Sequence, residues 1–395
     1  MDRPAPASID PKMWEPLDTA PGTAERIAAP SLTYWQDVRQ RLWANRPAMI
    51  SLGFIIVLIL AAIFGPFFSQ TYFDQDLKFA NLPPVLETYT VAGADGAETR
   101  YFLNPGNFNL YEITPGGEVA GLVRAQKKDL IKKQQIFALN GQEVVLDIKT
   151  LPARLIDGSG TALVPSGWTW NMSHWFGTDQ LGRDVLARQL IGARISLAVA
   201  FVATLVNFFI GIFYGGLSGY LGGTVDTVMM RVVEIISTIP LTLYVILMMV
   251  VLQSGLLSII LAIGTVFWVD MARIVRGQIL TLKQQDYVAA ARTMGASTGR
   301  ILTKHLLPNA MGPILVTLTM LIPSAIFIES FMSFIGLGVT PPLASWGTLT
   351  SEAVETLRAY PHQLFFPAAA ISLTMFAFNF LGDGLRDALD PRGRK

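Results

Sequence analysis

Residues 51–68 read SLGFIIVLILAAIFGPFF, and no charged residue occurs between Pro47 and Phe73. About 20 apolar residues are enough for a helix to cross the roughly 30 Å hydrocarbon layer of a bilayer. This stretch therefore predicts a membrane-spanning helix, and the question is how many more the 395-residue chain contains.

Further uncharged windows follow along the chain, and Gln253-Ser254-Gly255 divides one of them in two. These windows cover residues 195–225, 235–269, 305–328 and 359–382. We predict six spanning helices, near residues 48–68, 192–216, 228–252, 256–275, 309–336 and 363–386. The expected fold class is an all-α polytopic membrane protein that also carries a small β-rich insert outside the membrane.

The composition supports a chain that lies largely in lipid. Hydrophobic residues make up 51% of the chain and charged residues 15%, with a mean hydropathy of +0.44, whereas soluble domains carry about a quarter charged residues. A net charge of +1 gives no basic field for nucleic acid, so no nucleic-acid partner is expected. The chain has no cysteine and three histidines, which excludes disulfides and thiolate metal sites, and no metal ligand set is expected.

Lysine and arginine in the short loops predict the orientation. An even number of spans puts both termini on one side, and basic residues concentrate in loops on the cytoplasmic side. The basic residues of the fourth connection are Arg273, Arg276, Lys283, Arg292, Arg300 and Lys304. We therefore expect a multi-pass inner-membrane protein with both termini in the cytoplasm and the long segment 69–190 outside.

The predicted organisation divides the chain into five parts. Residues 1–30 lack the apolar core of a secretory signal. Leu32, Trp35, Val38 and Leu42 follow at helical spacing, which favours a helix in the headgroup region over a frayed polar leader. The predicted parts are a cytoplasmic tail and interfacial helix (1–46), a first span (47–70), an extracytoplasmic segment (71–190), a five-helix core (191–386) and a cytoplasmic tail (387–395).

The extracytoplasmic segment contains a predicted β-rich insert at about 85–165. Three turn signals, Ala94-Asp95-Gly96, Pro115-Gly116-Gly117 and Asn140-Gly141, separate β-leaning stretches such as LETYTVA and EVVLDI. Residues 127–133 read KKDLIKK, which is either a solvated face or a docking patch.

The other predicted non-membrane piece is residues 276–305, which are too polar to span. Its alanines favour a helix with almost no side-chain bulk, and Gly295 interrupts that helix before a second short one. Such a surface lets a groove or another helix approach closely. The alternative is a connector that folds back on the membrane.

Few residues suggest chemistry on this chain itself. No Gly-Lys pair occurs, so a phosphate loop of the GxxxxGK[ST] type is absent and any ATP would be bound by another chain. Gly216-Leu217-Ser218-Gly219 resembles the GxSG of intramembrane serine proteases, but glycines every four residues, at 211, 215, 219 and 223, favour helix packing instead.

Acidic residues near the spans are the other candidates for function. Glu329 lies near the outer end of the fifth predicted span, where an ionisable side chain is a functional candidate, with a polar tether as the alternative. Glu234 and Asp270 are expected nearer to helix ends, where water would solvate them.

Several stretches resemble one family. FGTDQLGRDVLARQLIGARISLA (176–198), ESFMSFIGLGVTPPLASWG (329–347) and LGDGLRDALDPR (381–392) are similar to the C-type permease subunits of oligopeptide, dipeptide and nickel ABC importers. DYVAAARTMGAS (286–297) resembles their coupling loop, although Ala289 stands where glutamate is usual. The resemblance covers about 40–80 and 166–395, and it leaves out the insert.

The resemblance implies which residues carry function. The ATPase-coupling residues would be Asp286, Tyr287, Ala289, Ala290, Ala291, Gly295 and Ala296. The motif before the second span would be Gly177, Asp179, Gly182, Arg183 and Asp184, and the substrate pathway would include Glu329 and Ser333.

The resemblance also implies partners. They would be a homologous second permease, two cytoplasmic ATPase subunits that bind ATP and Mg, an extracytoplasmic solute-binding protein, membrane lipid and a peptide substrate. No cofactor is expected on this chain, and it is not expected to be an enzyme. Three alternatives remain at this stage: a nickel-chelate or other small-solute permease, a membrane-bound hydrolase using Ser218, and a receptor or anchor built around the insert.

Overall fold

The computed structural model describes residues 33–68, 74–93, 98–150, 152–253, 255–340 and 343–390. It contains a helical membrane domain and a β domain inserted between the first two long helices. The helices are α1 (Tyr34–Ala44), α2 (Arg46–Phe68), α3 (Val185–Leu221), α4 (Gly223–Thr238), α5 (Leu241–Leu252), α6 (Leu256–Gly264), α7 (Trp268–Leu282), α8 (Asp286–Thr293), α9 (Thr298–Ile301), α10 (Leu307–Phe334), α11 (Trp346–Val354) and α12 (His362–Leu389).

Within the described residues, five helical stretches are long and apolar enough to cross a membrane. They are Arg46–Phe68, Val185–Leu221, Leu256–Leu282, Thr298–Phe334 and His362–Leu389. A sixth span exists if α4 and α5, which bend by 86° at a short break, count as one. The predicted helical membrane fold is therefore confirmed, and the predicted number of six spans is reached only when α4 and α5 count as one.

The prediction of one continuous helix over 228–252 was wrong, because this stretch is divided between α4 and α5. Pro240 has no backbone N–H to donate and its ring clashes with the preceding turn, so α4 ends at Thr238 and α5 starts at Leu241. The next two spans are longer than expected, since α7 continues to Leu282 and a helical run resumes at Thr298 through a π-helical turn. The predicted connector 276–305 therefore shrinks to about 283–297.

α3 is the central helix of the membrane domain, and it begins at Val185 rather than near 192. It packs closely along α7 because its glycines present no side chain. A Cβ on Gly211 would lie 2.4 Å from Met271, and one on Gly215 would lie 2.2 Å from the Ala272 carbonyl. Gly223 is the exception in the stripe, since it starts α4 and would meet no atom within 4 Å.

The amphipathic helix α1 packs on the end of α12. Val38 is 6% exposed and contacts Ala388 and Leu389, while Trp35 and Trp43 are exposed. The predicted interfacial helix is thus a short helix docked on the membrane domain, and residues 1–32, including Leu32, lie outside the described residues.

The β domain consists of two antiparallel sheets. Their strands are β1 (Val85–Ala92), β2 (Glu98–Leu103), β3 (Leu110–Ile113), β4 (Val119–Val123), β5 (Lys127–Asp129), β6 (Gln134–Leu139), β7 (Gln142–Asp147), β8 (Arg154–Ile156) and β9 (Gly167–Trp170). The first sheet has the order β4-β3-β2-β1-β9 and the second β5-β6-β7-β8. The insert therefore reaches Trp170 rather than 165, and the turn signal at 94–96 lies outside the described residues.

A shared apolar core joins the two sheets. Tyr101 and Leu110 of the first sheet pack against Phe137, Val144 and Leu146 of the second. The two ends of the insert lie side by side, since the Asn171 N–H donates to the Pro84 carbonyl at 2.8 Å. The β domain therefore has adjacent ends, and its first sheet also packs on residues 77–82 and contacts Tyr360.

Candidate functional site

The connector between α7 and α9 contains one short helix, α8. Asp286 lies in its first turn and Arg292 in its last, and both charges complement the helix dipole. Gly295 follows with φ = +79°, and the Ala296 N–H returns to the Ala291 carbonyl at 3.0 Å. A left-handed residue with a returning hydrogen bond ends a helix, so the alanine run stops here.

One face of α8 is buried against its own chain. Val288 is fully buried and Ala291 is 3% exposed. Their apolar neighbours on α7 and α10 are Met271, Val275, Ile279, Ala310 and Ile314. The guanidinium of Arg292 lies 5.2 Å from the ring centre of Tyr220 at the end of α3. A displacement of α8 would therefore act on three membrane helices at once.

The opposite face of α8 is exposed and nearly free of side-chain bulk. Ala289, Ala290 and Thr293 are exposed there, and Met294, just past the helix, is 81% exposed. A single bulky side chain beside small ones is a shape that can fit a groove on another protein. We call these four residues the α8 face.

The predicted coupling residues divide between the two faces. Asp286, Tyr287, Ala289, Ala290 and Gly295 are exposed, whereas Ala291 is buried and Ala296 is partly buried. Sequence reasoning missed Met294, although its position beside Gly295 would place it at the exposed end of the helix. The sequence offers one signal that Ala291 is buried and Ala290 exposed: Ala291 follows Val288 by three residues, the spacing of one helix face.

The motif before the second span forms the entry to α3. Gly177 and Gly182 have φ of +79° and +76°, and a Cβ on Gly182 would lie 1.9 Å from the Asp76 carbonyl. Asp184 caps α3 by accepting from the Ala187 N–H at 2.7 Å. Glycine is required here because the backbone turns tightly against another segment.

An ion network links this entry to α11. Asp179 accepts from Arg183 at 2.7 Å and from Arg188 at 2.8 Å, and Arg188 also reaches Glu352 of α11 at 2.6 Å. Arg188 and Glu352 are functional candidates that sequence reasoning did not single out. The network borders a cavity of about 400 Å³, whose lining includes Gln180, Arg183, Arg188, Glu352, Glu355 and Gln363.

Glu329 lies in a buried cluster of hydroxyl groups. Its carboxylate accepts from Ser196 of α3 at 2.8 Å and from Ser333 at 2.9 Å. Ser345 contacts Ser333 at 3.2 Å, and the Trp346 N–H donates to Ser196 at 3.2 Å. Glu329 is fully buried, so the cluster joins α3, α10 and the start of α11. Its place in a substrate pathway, with Ser333, stays a prediction.

Ser218 is not arranged as a nucleophile. It is fully buried, and its hydroxyl donates to Asp226 of α4. Asp226 also accepts two hydrogen bonds from Arg276 at 2.6 Å each. A serine that donates to a carboxylate already paired with arginine has no general base to activate it. The geometry therefore speaks against the hydrolase alternative.

The described residues contain five or six candidate spans, with α8 at one end of α3 and the β domain at the other. This arrangement defines a polytopic membrane protein. Residues 33–84 match the N-terminal TM domain of oligopeptide transport permease C, and residues 207–395 match the binding-protein-dependent transport system inner membrane component. Neither match includes residues 85–206, which hold the β domain.

Curated relatives extend over nearly the whole chain. The oligopeptide transport system permease protein OppC of Bacillus subtilis is 40% identical over 98% of this chain and 99% of its own length. The dipeptide transport system permease protein DppC of the same organism is 39% identical, over 94% of this chain and 90% of its own. OppC of Escherichia coli is 48% identical over 60% of this chain and 79% of its own. The chain belongs to the family of binding-protein-dependent transport permeases, among the C-type permease subunits of ABC importers.

Proposed function

We propose that this chain is one of two homologous permease subunits of an ATP-driven importer of oligopeptides or dipeptides. The substrate class is supported by relatives named as oligopeptide and dipeptide permeases at 35–40% identity over most of the chain. No covalent chemistry is needed on this chain, since its task is to open and close a path through the membrane.

The observation that carries this proposal is the exposed α8 face. The chain has no phosphate loop for ATP, so the nucleotide and its Mg would be held by two ATPase subunits. Each permease would seat its α8 face in a groove on one of them. Because α8 packs on α7 and α10 and its Arg292 lies over the Tyr220 ring of α3, closure of the ATPases would tilt these helices. Ligand energy shifts such an equilibrium only through contacts that differ between the two states.

The orientation follows from the same assignment. The connector that carries α8 would lie in the cytoplasm, where the basic residues Lys283, Arg292 and Arg300 favour it. α3 rises about 55 Å over its 37 residues, so the β domain at its other end would be extracytoplasmic. An external solute-binding protein would deliver the peptide on that side.

The test is ATP-driven uptake of a labelled tripeptide by the full complex in proteoliposomes. Ala290→Trp places a bulky ring on the α8 face, and we expect uptake and ATPase binding to fall at least about tenfold, which corresponds to roughly 1.4 kcal/mol. The two permeases should still assemble, because Ala290 is exposed. The matched control is Ala138→Trp, an exposed alanine in β6, which should leave uptake unchanged. Normal uptake by Ala290→Trp would contradict the proposal.

A further inference from the structure

Two exposed ion pairs lie on α4 and α7. Arg231 and Glu234 of α4 are 2.7 Å apart, with 71% and 55% of their side chains exposed. Asp270 and Arg273 of α7 are 3.3 Å apart, with 69% and 43% exposed. We call these four residues the charged surface.

This surface lies at membrane depth. Asp270 stands 14 residues after the start and 12 before the end of the candidate span Leu256–Leu282, which is about 18–21 Å of helix from either end. Asp270 does lie near a helix end, in the first turn of α7, but this end lies inside the candidate span Leu256–Leu282 and not at its boundary. Charged side chains at such depth face a bundle interior or a wet cavity, not lipid.

The break between α4 and α5 belongs to the same surface. Arg273 donates to the Ser237 hydroxyl at 2.7 Å, which joins α7 to the last turn of α4. The residues of the break, 237–240, are all exposed, and the two helices bend there by 86°. Broken helices at membrane depth are tolerated where they line a water-filled cavity or are buried in protein.

The charge pattern favours a wet cavity over a contact with the second permease. Each pair is neutralised within its own helix, so no excess charge remains that would require a complementary charge on a partner. An ion pair that is exposed to water is weak. Each charged side chain can therefore leave its partner and bind a charged group of the ligand instead. A peptide with free termini carries one charge of each sign and matches such a surface.

We propose that the charged surface lines the aqueous translocation pathway and contacts the charged termini of the peptide. Arg231 and Arg273 would bind the carboxylate, and Glu234 and Asp270 would bind the ammonium group. Weak, exchangeable contacts suit a pathway because the substrate must also leave. This inference rests on the proposed function and adds to it the residues that meet the substrate.

The absence of cysteine from this chain allows a direct test. Glu234→Cys and Asp270→Cys are introduced into the full complex, with cysteine-free partners, and treated with a charged, membrane-impermeant methanethiosulfonate. We expect both to react, and saturating tri-alanine to slow the reaction roughly fivefold or more. N-acetylated, amidated tri-alanine should protect neither. Val57→Cys in α2, 65% exposed, is the control for a lipid-facing position and should not react.

Each outcome decides the proposal. No reaction, in a complex that still imports peptide, would overturn the charged surface and leave the proposed function intact. Equal protection by the blocked peptide would overturn the contact with the termini. If either variant fails to assemble, Arg231→Cys and Arg273→Cys report on the other half of the surface. Loss of assembly in all four would make the surface a subunit interface and overturn the proposal.

Discussion

At the scale of single residues, Glu329 illustrates how a carboxylate can be kept inside a membrane domain. Its oxygens accept from Ser196 and Ser333. Glu329→Leu removes the acceptor of two buried hydroxyls, and we expect a loss of roughly 2 kcal/mol or more in stability. Thermal unfolding of the purified complex measures this. Glu329→Gln, which keeps a carbonyl acceptor, should lose less, and an unchanged melting temperature for Glu329→Leu would show that the cluster contributes nothing.

Gly295 is the second residue with a specific requirement. Its φ of +79° is left-handed, yet a Cβ there would meet no atom within 4 Å. The penalty for Gly295→Val is therefore in the backbone, about 1–2 kcal/mol, and it would loosen the end of α8. We expect fewer peptides imported per ATP hydrolysed. Gly295→Asn, which tolerates this conformation, should keep the ratio, and equal ratios for valine and asparagine would contradict this role of the backbone.

Sequence reasoning reached some of these residues and missed others for physical reasons. The alanine run and Gly295 predict a short helix with a stop. They do not say which alanine faces outward, because that depends on the packing of α8 on α7 and α10. Met294 was missed because methionine usually fills cores, although its position beside Gly295 indicates the exposed end of the helix, where it is 81% exposed.

At the scale of elements, a buried arginine adds an ionic link between α3 and α11 to the hydrogen bonds that Trp346 of α11 donates to Gln189 and Ser196 of α3. Arg188 is 4% exposed and bridges Asp179 and Glu352. Arg188→Met leaves Asp179 with one partner fewer, and breaking a buried pair costs roughly 3 kcal/mol. A double-mutant cycle with Glu352→Gln, read by thermal unfolding, measures the coupling. Arg154→Met on the exposed start of β8 is the control, and additive effects within the cycle would rule out the ionic link.

The spans could be located from the sequence because uncharged apolar runs of about 20 residues are typical of membrane-spanning helices. Their ends could not, since α3 continues outward to Val185 through a capped start that depends on Asp184 and the turn before it. The break between α4 and α5 has a sequence signal, Pro240, but the apolar pattern on both sides of it predicts one continuous helix. The interruption between α6 and α7 at 265–267 directly follows Gly264, a signal that the uncharged apolar window around it concealed.

At the scale of the whole molecule, the β domain is an insertion with adjacent ends. The Asn171 N–H donates to the Pro84 carbonyl, so residues 85–170 can be replaced by a short Gly-Ser linker. We expect the helices to insert and the complex to assemble, with reduced stability because Leu82 and Tyr360 lose their cover. Co-purification of the partner subunits measures assembly. If the shortened chain no longer assembles, the insert is needed by the permease core, and the receptor or anchor hypothesis gains support.

The proposed function requires that α8 lies in the cytoplasm and seats in an ATPase groove. Met294→Cys, in a chain without other cysteine, can be labelled with an impermeant maleimide in inside-out and right-side-out vesicles. We expect labelling in inside-out vesicles only, and loss of that labelling when the ATPase subunits bind. Labelling in right-side-out vesicles, or full labelling with the ATPases bound, would contradict the proposed function.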